Sequence, residues 1–318
     1  MSVPSHSASG APSSASAAAT PHLTARAATM LTVAPLLWAG NAVVGRALNP
    51  LIPPVTLNLL RWVLACLILL PFAGGVLRPG SPLWAHWKRF SLLGLLGIGC
   101  YNMLQYMALR TSTPVNVTLV ASSMPLGMML VGRLFYDVPI TRPKLWGAAL
   151  SLAGVLLVLS RGSWSNLLHL HLVVGDLFML AATLCWSFYS WMLMHTREPA
   201  GLRGDWKAFL LAQIALGVVW SLFFTGIEWA VEPDLHIVWS PALWAGLAYV
   251  AIGPAILAFA FWGMGVQQAG PTIGSFFTNL TPVFAALLSA FFLGESPAWF
   301  HAVAFVLIVA GIVVSSRH

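Results

Sequence analysis

The chain has 318 residues, of which 59% are hydrophobic and only 7% charged, where a soluble domain carries about 25% charged residues. This excludes a water-soluble globular protein, because too few polar side chains exist to cover its surface. The formal net charge of +7 does not point to nucleic acid either: the cations sit in short clusters between apolar runs and form no extended basic face.

Cys66, Cys100 and Cys185 fall inside apolar segments without a CxxC pair. Neither a disulfide framework nor a zinc site is expected, and no metal or other cofactor is implied. The expected partners are membrane lipid and a small-molecule substrate, with the chain a monomer or a homodimer.

Residues 1–28 are rich in Ser, Ala and Pro and predict a disordered tail. The apolar run after Arg26 is about twenty residues long and lacks an A-x-A site, which fits an uncleaved first transmembrane helix. A bilayer core of about 30 Å takes roughly 20 apolar residues per helix. Measured so, the chain predicts an all-α integral membrane protein with ten transmembrane helices, near residues 30–48, 55–73, 89–109, 114–135, 143–160, 173–194, 207–228, 241–262, 271–293 and 299–316. With a cytoplasmic N-terminus, eleven Lys and Arg fall on the inner side and only Arg46, Arg110 and Arg161 on the outer. The bias predicts a multi-pass protein of the cell (inner) membrane with both termini cytoplasmic.

Polar side chains inside a span are costly and face a cavity or a partner. On the first helix Trp38, Asn41 and Gly45 share a face; Asn41 either lines a cavity or bonds a neighbouring helix. Arg46, at the outer end beside Asn49 and Pro50, reads as an interfacial anchor. Arg61 is the one charge well inside a span, roughly 9 Å below the outer end of the second helix. It either receives a substrate carboxylate or phosphate or snorkels to the headgroups. Asn58 lies one turn earlier on the same face.

The third helix carries a polar stripe of Asn102, Gln105 and Tyr106, with Tyr101 pointing partly away. On the fourth, Asn116 and Ser123 precede Pro125; on the ninth, Ser275 and Asn279 precede Pro282. Each proline removes one backbone bond, which makes either a hinge or a plain kink. Trp186 and Tyr189 share a face of the sixth helix, and Gln213 lies within the seventh. Such aromatic walls suit an amphiphilic organic substrate better than an inorganic ion. Asp176 opens the sixth helix, where capping explains it. No acid lies deep in any span, so coupling through His195, His301 or the substrate, or no coupling, all stay open.

An offset of 157 residues brings Pro114 onto Pro271, Pro125 onto Pro282, Ala153 onto Ala310 and Gly154 onto Gly311. A duplication with five helices per copy enters the membrane from opposite sides, giving two inverted repeats, an architecture of secondary transporters. The units are then a tail at 1–28 and repeats at 29–161 and 172–316.

Over residues 30–316 the chain resembles the ten-helix EamA-type carriers of the drug/metabolite transporter superfamily. The likeness rests on "LLWAGNAVVGRAL", "LNLLRWVLA", "YNMLQYMALRTSTPVNVTLVASSMP", "GDLFMLAATLCWSFYSWML" and "VQQAGPTIGSFFTNLTPVFAALLSAFFLGE" in order. The resemblance implies helices around a central cavity, alternating access, and export or exchange of amino acids, other small metabolites or drugs. A carrier of phosphorylated or nucleotide-linked sugars is an alternative, for which Arg61 alone is thin support. An intramembrane enzyme is a further one, although HExxH, GxSxG and a deep pair of carboxylates are all missing from the sequence.

Overall fold

The computed structural model describes residues 22–48, 50–163, 173–195, 198–293 and 298–317. The tail as far as residue 21, Asn49, Arg197 and Glu295 lie outside them. Besides three short helices (Gly74–Leu77, Pro82–Ala85 and Ala200–Gly204), the described residues form ten longer helical segments: α1 (Ala25–Leu48), α2 (Pro54–Ala73), α3 (Trp87–Thr111), α4 (Pro114–Ser122 continued by Met124–Phe135), α5 (Arg142–Leu159), α6 (Val174–Met194), α7 (Trp206–Val231), α8 (Pro241–Ala269), α9 (Pro271–Thr278 continued by Thr281–Leu293) and α10 (Trp299–Ser315). Among the described residues eight helices are long and apolar enough to cross a bilayer, the bent α4 pair makes a ninth, and α10 is a shorter apolar helix of 17 residues. The molecule is an all-α, multi-pass membrane protein.

Local chemistry sets the segment starts. Pro54, Pro114, Pro241 and Pro271 each occupy the first turn, where their missing N–H costs nothing. Thr113, Asp205 and Ser240 cap α4, α7 and α8 through side-chain oxygens. α1 begins at Ala25, earlier than the hydropathy pattern alone suggests, because Thr24 Oγ1 accepts the Ala27 N–H at 3.1 Å and Ala27 and Leu31 are buried. The outside of the bundle is apolar, with Phe291 81%, Val231 70% and Trp146 68% exposed. Such a surface is stable only against lipid.

Features of the first half recur in the second at the 157-residue offset. α5 and α10 cross antiparallel through glycines. A Cβ built on Gly147 would lie 2.7 Å from the Gly311 carbonyl oxygen, and one built on Gly154 would lie 2.9 Å from that of Ala304. Shifting Gly147 and Gly154 by the repeat offset gives Ala304 and Gly311, so the two contacts are copies of each other. The exchange is what an antiparallel crossing of two equivalent helices gives, in keeping with an inverted pair of repeats. A second copy appears in α3 and α8, where residues 94–100 and 251–257 both widen to i→i+5 winding, a feature frequent at functional sites.

One end of the bundle holds the start of α1 and Arg89, which bonds Glu198 and the carbonyls of Met192 and His195 at the end of α6. At the other end Arg110 pairs with Glu232. There Glu228, 8% exposed near the end of α7, accepts the Val55 and Thr56 amides at 2.9 and 2.8 Å and the Thr56 hydroxyl at 2.8 Å. These amides belong to the first turn of α2, which has no partners of its own. Glu228→Ala is expected to lower stability by about 3 kcal/mol and Glu228→Gln by less. Melting of the detergent-purified protein checks this, and equal melting of all three proteins would refute it.

Candidate functional site

The repeats meet in a layer of aromatic rings. Trp38 on α1 and Trp186 on α6, the first helices of the two repeats, touch edge to face at 5.3 Å between centroids. Trp262 and Phe259 of α8 close the group, at 5.6 and 5.4 Å from Trp186, and Tyr101 and Tyr189 each lie 5.0 Å from it. Trp62 of α2 joins through Phe259 at 4.8 Å. Their polar edges are held: the indole N–H groups of Trp38, Trp62 and Trp262 donate to the Pro254 carbonyl, Asn58 Oδ1 and Ser190 Oγ at 3.3, 3.1 and 3.1 Å. Buried indoles need such partners, and here they also fix the ring orientations.

Arg61 sits against this layer. It is only 3% exposed, so it does not snorkel. Its Nη1 donates to Asn41 Oδ1 at 3.4 Å, its guanidinium lies 5.0 Å from the Trp62 ring, and Tyr106 is within electrostatic reach. Its Nε has no hydrogen-bond partner. Asn41 and Trp38, one turn apart, thus face the interior together. A Cβ on Gly45, one turn further along the helix, would meet nothing within 4 Å.

Of the residues expected from sequence, Trp38, Asn41, Arg61, Tyr106, Trp186 and Tyr189 gather here. Asn102 is buried on α3 and Gln105 half-buried on the next turn. Others are committed elsewhere. Asn58 donates to the Ile98 carbonyl at 3.1 Å and so holds α2 against the widened turn of α3. Asn116 donates to Asp176 at 3.2 Å, and Asp176 also accepts from Ser112 and from the Val173 amide, which caps α6 and joins it to α3 and α4. Gln213 Nε2 bonds the Phe209 carbonyl at 3.0 Å while its Oε1 is unpartnered. Ser123 and Ser275 bond carbonyls of their own helices.

Asn279 sits at the break in α9 and donates to the Ser122 carbonyl at 3.3 Å and to Ser151 Oγ at 2.8 Å. Ser122 is its equivalent under the repeat offset, so this bond ties the two broken helices together at matching positions. α4 bends by 40° at its break beside Pro125, and α9 breaks before Pro282. His301 caps α10 by accepting the Ala298 amide, and the His195 ring lies tilted against Tyr136 at the end of α6.

Residues 25–160 and 173–317 match the EamA-like transporter family. The chain belongs to that family. Among its EamA-like relatives are an uncharacterized transporter of Archaeoglobus fulgidus, 24% identical over 90% of this chain and 96% of its own, and the aromatic amino acid exporter YddG of Ancylobacter novellus, 26% identical over 88% and 93%. Protein PecM of Dickeya dadantii is 27% identical over 88% and 89%. A solved crystal structure shares the fold with a TM-score of 0.70 at 22% identity, covering 92% of this chain and 96% of its own.

Trp62, Tyr101, Phe259 and Trp262 escape a reading of single helices. The repeat offset carries Asn102 onto Phe259 and Gln105 onto Trp262, so the polar stripe of α3 has an aromatic counterpart on α8. Tyr101, expected to point partly away, faces Trp186. The widening of α3 over residues 94–100 shifts the angular phase between its two halves and turns that side chain inward.

Proposed function

We propose that this EamA-like protein is a secondary carrier that exports a small organic metabolite, such as an amino acid or an amphiphilic compound, by alternating access between its inverted repeats. The observation that carries this reading is the layer of rings and the buried Arg61–Asn41 pair where the repeats meet. Rings with a few fixed polar groups bind organic solutes, and inverted repeats place such sites near the midplane. The exporter among the relatives, named for aromatic amino acids, is in keeping with a site of this composition.

The excess of Lys and Arg at the end where α1 starts favours a cytoplasmic position for that end. The bonds of Arg89 at that end and of Arg110, Asp176 and Glu228 at the other are then the contacts that rearrange as access alternates. The breaks beside Pro125 and Asn279 supply the bending points.

Cells overexpressing the protein should accumulate the substrate outside, and a metabolite screen of the medium names its class. Arg61→Ala, Asn41→Ala and Gln105→Ala are each expected to reduce export about tenfold or change its selectivity. Unchanged transport across all three would remove the site from this layer.

A further inference from the structure

Arg61 is a buried cation with no counter-ion among the described residues. Among the described residues the acids that are ion-paired or hydrogen-bonded through their carboxylates serve elsewhere: Glu198 is held by Arg89, Glu232 by Arg110, Asp205 caps α7, and Asp176 and Glu228 are taken up by the ends of α6 and α2. What Arg61 does have is the Asn41 amide oxygen at the long distance of 3.4 Å and the face of Trp62. A charge desolvated in this way is unfavourable unless a partner arrives to neutralise it. Stability therefore does not explain why the residue is an arginine.

We infer that the transported solute is an aromatic monocarboxylate, its carboxylate received by Arg61 and its ring seated among Trp62, Phe259, Trp38 and Trp186. This rests on the carrier reading above and narrows its substrate. The Nε without a hydrogen-bond partner and the Nη groups present a planar fork matched to a carboxylate. The charge of the site sets the rest. An α-ammonium group would sit within a few ångströms of the guanidinium with no acid among the described residues to receive it, and repulsion in a poorly solvated site is strong. A phosphate ester would bring a second negative charge that one cation leaves uncompensated. A single negative charge on a ring leaves the loaded site neutral.

Three compounds with one ring separate these cases: hydrocinnamate, phenylalanine and hydrocinnamamide. Binding to the purified full-length protein is read by tryptophan fluorescence, and transport by counterflow of radiolabelled compound in liposomes. Hydrocinnamate is expected to bind about tenfold or more tightly than the other two. Arg61→Gln should abolish that preference while leaving hydrocinnamamide binding within about twofold, since the rings do the remaining work. Arg61→Gln should also melt higher than the wild type without ligand, because it removes an uncompensated buried charge.

Equal affinity for the three compounds in the wild type, tighter phenylalanine binding, or a preference that survives Arg61→Gln would each overturn the inference. A lower melting point for Arg61→Gln would mark Arg61 as a structural prop and overturn it as well. The wild-type comparison decides even if the variant does not fold. Flux of phenylalanine or the amide without carboxylate preference leaves the carrier standing and removes the anion subsite. Selective binding of hydrocinnamate with no counterflow does the reverse.

Discussion

Gly147→Val is expected to destabilise the protein by about 3 kcal/mol or more, and Gly311→Val by a similar amount. At each position a Cβ would lie 2.7 Å from the carbonyl oxygen of the other glycine. The obstructing atoms are backbone, which has no rotamer to retreat into, so relief requires α5 and α10 to move apart over their whole crossing. Tight approach of helices at small residues is a main source of association inside a bilayer, where lipid removes most of the hydrophobic drive. Melting in detergent and yield from the membrane are the readouts. Gly45→Ala, where the added methyl meets nothing within 4 Å, is the control and should melt like the wild type. If Gly147→Val also melts normally, the α5–α10 crossing is not as close as the structure shows.

Trp186→Ala is the second large effect. Its ring lies within 5.6 Å of Trp38, Tyr101, Tyr189, Phe259 and Trp262, measured between centroids. Removing it leaves a cavity at the meeting of both repeats, expected to cost about 3–5 kcal/mol. It also takes away the central wall of the candidate site. Trp186→Phe separates the two consequences. It should recover most of the stability, yet still export at a rate reduced about tenfold, since a smaller ring leaves the substrate less well held. A Phe variant with wild-type export would confine Trp186 to a packing role.

Much of the architecture was legible in the residues. Membrane embedding follows from composition, because lipid is the one solvent that 59% hydrophobic residues can face. The duplication follows from Pro125 and Pro282 and from Gly154 and Gly311 at one constant offset, since a duplicated fold keeps its backbone-determining residues, and the EamA-like family matches the chain twice. The inward face of α1 was also legible, because Trp38 and Asn41 lie at helical spacing among apolar residues. In each case the signal is local or repeats along the chain.

The fate of single polar groups was not legible, and the pairs of similar residues show why. Asn41 and Asn58 both read as polar residues on an inward face. The fold gives one to Arg61 and the other to the Ile98 carbonyl, across |i−j| separations of 20 and 40. Asn116 is spent on Asp176 and Asn279 on its own repeat equivalent. Arg61 could as readily have snorkelled, and only its burial between α1, α2 and α3 keeps it inside. The sequence by itself determined the membrane fold, its duplication and the kinds of residue at the interface between the repeats. The tertiary structure decided which of them pair and which stay unpaired, because that depends on how each helix is rotated and how closely it crosses its neighbours, set by packing between residues far apart in the chain.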